Sequence, residues 1–189
     1  MNNTFVIGIT GGSASGKSTF SGILEKELCN YSLLVFHMDR YFYPEDQLPR
    51  SAAPVTGIVY PDFNQPSSVD LSRLKNDFMT AITSGKYQII IIEGLFALWD
   101  PEIYEKLDLK LFIDCKTDER IVRRLRRNMK ERGLTFDEIS SVYLDLVRYR
   151  HDEYVEPCKW RADFILNGSN PFDKAVEVIM SYIILKFNS

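Results

Sequence analysis

Two kinds of apolar pattern alternate along the 189-residue chain and indicate its architecture. Short apolar runs, of the length typical of buried strands, lie at 4–10, 33–37, 88–94, 109–114 and 163–166. Between these runs apolar residues recur at helical spacing, and the first such set is Phe20, Ile23, Leu24 and Leu28. Strands that alternate with helices favour a parallel sheet. We therefore predict one α/β domain over residues 1–189, with a five-stranded parallel sheet and helices on both faces.

Cap residues predict where several helices begin. Ser67 or Ser68 is suited to cap the helix that follows it, and Thr135 with Glu138 has the spacing of a capping box. Pro171 is suited to the first helical position of a last amphipathic helix.

A glycine-rich loop follows the first predicted strand directly. It fits the phosphate-binding pattern G-x-x-x-x-G-K-[ST] at every position, with Gly11, Gly12, Ser13, Ala14, Ser15, Gly16, Lys17 and Ser18. The glycines let successive backbone N–H groups face one anion, and the N-terminus of the next helix adds partial positive charge. Lys17 would reach the β- and γ-phosphates of a nucleotide, and the Ser18 hydroxyl would ligate Mg²⁺.

Two carboxylates follow other predicted strands and should reach the same edge of the sheet. Asp39 comes two residues after the run at 33–37, and Glu93 comes directly after four isoleucines. The loops at the carboxyl ends of parallel strands form the ligand crevice. Asp39 is suited to ligate Mg²⁺ through water or to accept a proton from an attacking hydroxyl, and capping a turn is the alternative. Glu93 needs a positive partner, which Mg²⁺, Lys17 or an ordinary salt bridge would supply.

Basic residues concentrate on the helix predicted to begin at Thr117. One stripe at helical spacing contains Arg120, Arg123, Arg124 and Arg127. Guanidinium groups are suited to phosphate oxygens, although paired with nearby glutamates they would form an ordinary solvated face. Because a phosphate loop is present, we favour a mobile arginine lid that closes over a triphosphate, at approximately residues 124–136.

The segment 44–66 holds five of the chain's eight prolines and shows no clear period, so we predict a long ordered loop. Long loops in compact enzymes often face the substrate. Tyr60 and Phe63 would supply an aromatic wall, and Asp62 and Asn64 would supply groups that bind hydroxyls. The alternative is that the aromatic residues anchor the loop to the core.

Composition and charge narrow the class of protein. The net charge of −3 argues against a general nucleic-acid-binding surface. No apolar run approaches the length of a membrane span, and we expect a cytoplasmic protein without a membrane partner. Cys29, Cys115 and Cys158 are widely spaced, which favours reduced thiols over a disulfide or metal pattern. We interpret His37 as structural and give His151 no role.

The order of these motifs resembles the uridine kinase/phosphoribulokinase family of P-loop kinases over most of the chain. The matching stretches are GGSASGKS at 11–18, MDRYFY at 38–43, YPDFNQPSSVDL at 60–71, IIIIEGLFAL at 89–98, LFIDCKTDERIVRRLRRNMKERG at 111–133 and YVEPCKWRADFIL at 154–166. The resemblance implies a P-loop NTPase fold with strand order 2-3-1-4-5. It also implies Mg²⁺-dependent transfer of the γ-phosphoryl group of ATP to a primary hydroxyl, usually the 5′-OH of a ribonucleoside. Family members are often oligomers, so a homo-oligomer stays open.

The resemblance also implies residue roles. ATP would be held by the loop residues 11–18, by Thr19, and by Asn170 in the turn where the family tends to hold adenine. The phosphate-contacting, catalytic and metal-shell residues would be Lys17, Asp39 as general base, and Glu93, with Ser18, Asp39 and Glu93 around Mg²⁺. The lid arginines would be Arg124, Arg127 and Arg132. The acceptor-binding set would be Asp39, Tyr41, Tyr60, Asp62, Phe63, Asn64 and Arg127.

The acceptor side departs from the family pattern. Residues 85–88 lead directly into the next strand, so the family's pyrimidine-reading hairpin is missing. The family's F-D-H-P appears as F-N-Q-P at 63–66, which leaves open whether Asn64 or Asp62 holds acceptor hydroxyls. Sites without such hydrogen-bonding groups cannot reject analogues strongly. Three functions stay open: a uridine kinase-like nucleoside kinase, a same-family kinase for another alcohol such as nicotinamide riboside or a sugar or vitamin alcohol, and a nucleotide-binding switch or scaffold.

Overall fold

In the computed structural model, which describes residues 4–187, helices and strands alternate along the chain. The strands are β1 (Phe5–Gly11), β2 (Leu33–His37), β3 (Arg50–Ala52), β4 (Val59–Pro61), β5 (Ile89–Glu93), β6 (Leu109–Asp114) and β7 (Phe164–Asn167). The helices are α1 (Lys17–Glu27), α2 (Leu71–Thr83), α3 (Pro101–Tyr104), α4 (Thr117–Arg132), α5 (136–155) and α6 (Asp173–Phe187). Short 3₁₀ turns lie at Met38–Tyr41, Glu45–Gln47, Pro66–Ser68 and Glu156–Arg161.

Five of these strands form one parallel sheet in the order β2–β5–β1–β6–β7. Numbered along the chain within the sheet alone, this is the predicted order 2-3-1-4-5, which is confirmed. The register pairs Ile9 of β1 with Glu93 of β5, and His37 of β2 with the same Glu93. The carboxyl ends of these three strands therefore meet at one edge, where the loops that follow them lie side by side.

Alternate residues of each strand point to opposite faces of the sheet, and both faces are covered by helices. In β5, Ile89 and Ile91 pack in a cluster with residues of α1 and α6, whereas Ile90 and Ile92 pack in a second cluster with residues of α2. All four isoleucines are fully buried. Each such side chain contributes roughly 1.5–3 kcal/mol on burial, which holds the strand that ends in Glu93 at the centre of the core.

The predicted loop at 44–66 is wrong in part. Two three-residue strands, β3 and β4, pair there as a small antiparallel hairpin whose connection contains Gly57 at φ 71°. The backbone N–H of Ala53 donates to Ile58 O at 2.8 Å, which closes the connection. Three-residue strands are too short for an alternating pattern to appear in a proline-rich sequence, so the hairpin has little sequence signature.

Two predicted helix starts are also wrong. Asp70, rather than Ser67 or Ser68, caps α2, since its side chain accepts from Arg73 N at 3.0 Å. The last helix begins at Asp173, so Pro171 lies outside it. The Thr135–Glu138 capping box is confirmed, with both of its reciprocal hydrogen bonds present.

Helix α5 is continuous but irregular. It runs through Phe136–Val142, a π-helical turn at Tyr143–Val147, one α-turn at Arg148–Arg150, and a second π-helical turn at His151–Val155. Such turns often occur at functional positions. Within the described part of the chain, none of the helices combines the length and apolarity needed to cross a membrane.

Candidate active site

The glycine loop joins β1 to α1 through backbone conformations that side chains rarely adopt. Gly16 precedes the helix at φ 104°, and Ala14 is the non-glycine residue with positive φ among the described residues, at 63°. Lys17 begins α1 with 9% of its surface exposed, and its Nζ donates to Gly12 O at 3.0 Å. Burial lowers the pKa of Lys17, although Glu93 and Asp39 act in the opposite direction. The loop thus places a nearly buried ammonium group at the edge of the sheet where the strands end.

A cavity of about 610 Å³ opens at this edge and is lined by residues from five segments of the chain. The glycine loop and α1 contribute Ser13, Ala14, Gly16, Lys17, Ser18 and Thr19. The strand ends and the segments after them contribute Asp39, Phe42, Phe63, Asn64, Glu93 and Leu95. Helix α4 contributes Arg123, Arg124, Arg127, Asn128 and Arg132. The structure therefore brings together the predicted phosphate-contacting, acidic and lid residues.

The two acids lie beside the first turn of α1. The Ser18 hydroxyl lies 3.3 Å from each carboxylate oxygen of Glu93, whose residue is 4% exposed. Asp39 lies in the 3₁₀ turn after β2 and lines the same cavity. His37 Nδ1 lies 2.9 Å from Glu93 Oε1, a contact that sequence reasoning missed when it interpreted this histidine as structural.

The oxygen donors fit Mg²⁺ held together with a nucleotide. Mg²⁺ is usually bound through one or two carboxylates plus phosphate oxygens of the substrate. Asp39, Glu93 and the Ser18 hydroxyl supply that type of donor at one wall of the cavity. Between residues 4 and 187 no cluster of three or more His, Cys, Asp or Glu side chains forms a metal site. The protein donors therefore suit a cation that phosphate oxygens help to hold.

Helix α4 presents a cluster of guanidinium groups to the cavity with few counter-charges. Nε of Arg124 is buried and has no hydrogen-bond partner within residues 4–187. Burial, with the neighbouring charges of Arg127 and Arg132, lowers the pKa of Arg124 to about 10. Arg127 Nη2 also donates to Ser13 Oγ at 3.3 Å, which joins α4 to the glycine loop. A buried cation repelled by its neighbours fits a site that binds a polyanion.

Arg120 does not belong with this cluster, although it lies on the predicted stripe. It is 6% exposed, its Nε donates to Cys115 O at 3.0 Å, and its guanidinium lies behind Gly12 of the loop. His151 of α5 lies beside it, with Nδ1 at 3.5 Å from Arg120 Nη1. Burial, with the Arg120 charge, lowers the pKa of His151 to about 4. These two residues pack against the loop from behind, and neither lines the cavity.

One wall of the cavity is partly aromatic. Phe42 and Phe63 pair with ring centroids 5.9 Å apart, and both line the cavity together with Asn64. The backbone of Asn64 is held in position because its N–H donates to Asp62 Oδ1 at 2.8 Å. The structure thus brings the predicted Phe63 and Asn64 to the cavity wall.

Three other predicted acceptor residues do not line this cavity. The Tyr41 hydroxyl donates to Asp77 at 2.9 Å, and the Tyr60 hydroxyl donates to Asp145 at 2.9 Å. Asp62 is fully buried and pairs with Arg150 Nε at 2.8 Å. The structure instead gives each of these three side chains a partner within the fold, and of Asp62 and Asn64 it is Asn64 that lines the cavity.

A second cavity of about 540 Å³ lies by the turn after β7. Its lining includes Asn167, Ser169 and the predicted Asn170, together with Asp114, Cys115, Lys116, Glu119, Ile165 and Leu166. Arg123 links this turn to the main cavity, because its Nη1 donates to Gly168 O at 2.8 Å while the residue itself lines the main cavity. Arg123 therefore connects the main cavity to the turn beside the second one.

Comparisons with known proteins give consistent matches. The sequence profile of the Phosphoribulokinase / Uridine kinase family matches residues 75–173. A uridine kinase from Staphylococcus epidermidis is 30% identical over 200 residues, which cover 97% of this chain and 97% of the relative. A uridine kinase from Bacillus cytotoxicus is 30% identical over 199 residues, which cover 96% and 94%.

Solved structures share the fold at low identity. Phosphoribulokinase from Rhodobacter spheroides aligns with a TM-score of 0.63 at 18% identity, over 92% of this chain and 75% of that one. A structure described as a possible uridine kinase from Bacillus stearothermophilus aligns with a TM-score of 0.56 at 18% identity, over 87% and 89%.

A parallel sheet whose central strand leads through a phosphate-binding loop into a helix defines the class of P-loop nucleotide-binding proteins. Within that class the profile match and the 30% identity over nearly the whole chain identify the family. The chain belongs to the Phosphoribulokinase / Uridine kinase family. It is therefore an ATP-dependent kinase whose acceptor is a hydroxyl compound.

Proposed function

We propose that the protein transfers the γ-phosphoryl group of ATP to a primary hydroxyl of a small molecule, with the 5′-OH of a nucleoside as the preferred acceptor. One observation carries this proposal: Lys17, Ser18, Asp39 and Glu93 line a single cavity together with the arginines of α4. Phosphoryl transfer depends mainly on positioning and on neutralisation of charge, and this combination of groups is suited to both.

The donor side of the cavity would hold the triphosphate. The loop residues 11–18 and Thr19 would surround it, with Lys17 and the lid residues Arg124, Arg127 and Arg132 as its cationic contacts. Ser18, Asp39 and Glu93 would hold Mg²⁺, which when bound neutralises charge on the β- and γ-phosphate oxygens. Asn170 and the rest of the second cavity would hold the adenine.

The whole chain, residues 1–189, would act as one kinase domain with a lid at approximately 124–136. The contact between Arg127 and Ser13 supports this assignment, since it joins the proposed lid to the phosphate loop directly.

Asp39 would act as the general base. As the acceptor oxygen forms its bond to the γ-phosphorus, the bond from that phosphorus to the bridging oxygen breaks, ADP leaves, and Asp39 takes the hydroxyl proton. We expect Asp39→Asn to lower kcat by on the order of 10²-fold or more while ATP binding survives, because the amide cannot accept the proton. Wild-type kcat in this variant would remove Asp39 from the role of base.

The nucleoside assignment rests on two features. Phe42 and Phe63 offer a paired aromatic wall, and Asn64 offers an uncharged hydrogen-bonding group beside it. The curated relatives at 30% identity are uridine kinases, which favours a nucleoside acceptor. A second candidate is a same-family kinase for another alcohol, such as nicotinamide riboside or a sugar or vitamin alcohol. The direct passage from α2 to β5 over residues 84–88 favours it, because no hairpin is present there to read a pyrimidine.

A coupled ADP-release assay over nucleosides and other primary alcohols tests the assignment. Acceleration by uridine or cytidine would support the first candidate, and acceleration by a different alcohol alone would support the second. The Lys17→Ala variant is the control, because loss of the phosphate-contacting ammonium should abolish turnover. Nucleotide binding with no acceleration by any acceptor would contradict both and favour a nucleotide-dependent switch or scaffold.

A further inference from the structure

We propose that His37 is a positioning residue, whose imidazole orients the Glu93 carboxylate at the site for Mg²⁺ and nucleotide. The inference rests on the proposed function only for the presence of a metal–nucleotide complex at this cavity. It does not depend on which acceptor the protein uses.

The sheet brings the two residues together. β2 and β5 are neighbouring parallel strands, and His37 and Glu93 are register partners at the last position of each strand. Directly paired residues project to the same face of a sheet. The result is a distance of 2.9 Å between His37 Nδ1 and Glu93 Oε1.

The chemistry of the pair fixes the direction of the hydrogen bond. A carboxylate has only acceptor atoms, so a hydrogen bond between the two side chains requires the His37 tautomer with its hydrogen on Nδ1. The Ser18 hydroxyl lies 3.3 Å from both oxygens of the same carboxylate. Glu93 is therefore held between a donor on the neighbouring strand and the α1 hydroxyl proposed to share its cation.

Because Glu93 is buried, the loss of a group that orients its carboxylate should affect metal binding. The Glu93 side chain is 5% exposed, so few water molecules can replace a lost partner. The His37 side chain is 31% exposed, so solvent can reach the space that its truncation leaves. Groups that orient metal-binding carboxylates typically account for 10- to 100-fold in metal affinity or activity. We expect an effect of that order here.

The test measures metal binding without an acceptor. Mn²⁺ is titrated into the full-length protein with saturating ADP and followed by electron paramagnetic resonance, for wild type, His37→Ala and His37→Asn. An asparagine amide can place a donor near the position of Nδ1, so this variant should retain most of the affinity. We expect His37→Ala to weaken Mn²⁺ binding about tenfold or more, with ADP affinity in the absence of metal and the melting temperature nearly unchanged.

A matched control removes an ion pair away from the cavity. Lys75→Ala breaks contacts with Glu102 at 2.6 Å and with Asp100 at 3.4 Å. None of these three residues lines the cavity, so this variant should leave Mn²⁺ binding unchanged. Equal Mn²⁺ affinity in wild type and His37→Ala would overturn the proposal. The proposal would also be overturned if metal binding, metal-free ADP binding and the melting temperature all fell in parallel, because that would indicate a merely structural role.

The outcome separates this inference from the proposed function. If no alcohol accelerates ADP release but His37→Ala still weakens Mn²⁺ binding, the positioning role stands and the proposed function falls. If acceptors are phosphorylated but His37→Ala leaves Mn²⁺ affinity unchanged, the proposed function stands and the positioning role falls.

Discussion

A methyl group added at Gly168 should separate the turn after β7 from the glycine loop. A Cβ atom there would overlap the backbone oxygen of Ser15, and would lie 2.9 Å from Ile113 Cγ2 and 3.1 Å from Asp114 O. Two of these atoms belong to the backbone, so they cannot rotate away as the end of a side chain could. Gly168 has little freedom either, because its N–H donates to Asp114 O at 2.6 Å and its carbonyl accepts from Arg123 Nη1 at 2.8 Å.

The size of the effect follows from the overlap. Forcing an extra methyl group into a packed region costs roughly 1–3 kcal/mol. For a chain of this length, each kcal/mol lowers the melting temperature by about 2–4 °C. We therefore expect Gly168→Ala to lower the melting temperature by roughly 2–12 °C. Nucleotide binding should weaken as well, since the methyl group acts directly on the loop that would hold the phosphates.

The assay is differential scanning fluorimetry with and without Mg²⁺–ATP, and Gly22→Ala is the matched control. Gly22 lies within α1, and a Cβ atom there meets nothing within 4 Å. Alanine in a helix interior is favoured over glycine by about 1 kcal/mol, so this variant should melt at the same temperature or higher. A Gly168→Ala protein that melts within a degree of wild type and keeps its full stabilisation by ATP would refute the argument.

Three further predictions concern buried charges. Arg150→Met leaves the Asp62 carboxylate without its cation and should cost about 3–5 kcal/mol in urea denaturation; a loss below 1 kcal/mol would contradict it. His151 has a folded-state pKa of about 4 against 6.5 unfolded, so the unfolded chain takes up the proton first. Stability should therefore fall between about pH 6.5 and 4, and less steeply in His151→Gln when melting temperature is measured against pH; parallel profiles would refute this. Arg124→Met should weaken ATP binding in calorimetry without lowering the melting temperature of the free protein, because it removes a buried cation that its neighbours repel; unchanged ATP affinity would contradict it.

The sheet and its functional edge could be predicted because each depends on local pattern. The β-branched isoleucines before Glu93 favour a buried strand, and the glycine loop requires a strand before it and a helix after it. Parallel strands then bring their carboxyl ends to one edge. The positions of Lys17, Asp39 and Glu93 on one cavity follow from those three statements without any side-chain geometry.

The acceptor side could not be predicted in the same way. Tyr60 bonds Asp145, which is 85 residues away along the chain, and Asp62 pairs with Arg150, which is 88 residues away. Nothing in the proline-rich segment indicates those partners, because side-chain direction in an irregular segment has no period. Asp62 pairs with Arg150 of α5 while Asn64 lines the cavity, and the local sequence alone does not distinguish the two.

Helical spacing alone did not predict which arginines of α4 line the cavity. Arg120 and Arg127 share a stripe, but seven residues of helix separate them by about 10 Å along the axis. The first turn of α4 therefore packs Arg120 behind Gly12, while the second and later turns present Arg123, Arg124 and Arg127 to the cavity. A stripe defines a direction around a helix and leaves the height along it undetermined.

His37 marks the point at which topology becomes informative about a single side chain. Given the strand order, β2 and β5 are neighbours, and the final residues of both strands must lie near the same edge. The order alone does not give the register, and a shift of one residue would turn the imidazole to the opposite face. The pairing of His37 with Glu93 fixes that register, and it converts a histidine with no motif around it into a group that touches a carboxylate proposed to bind the metal. If Mn²⁺ binding responds to His37 as expected, side chains that end neighbouring strands should be considered together whenever one of them is a candidate metal ligand.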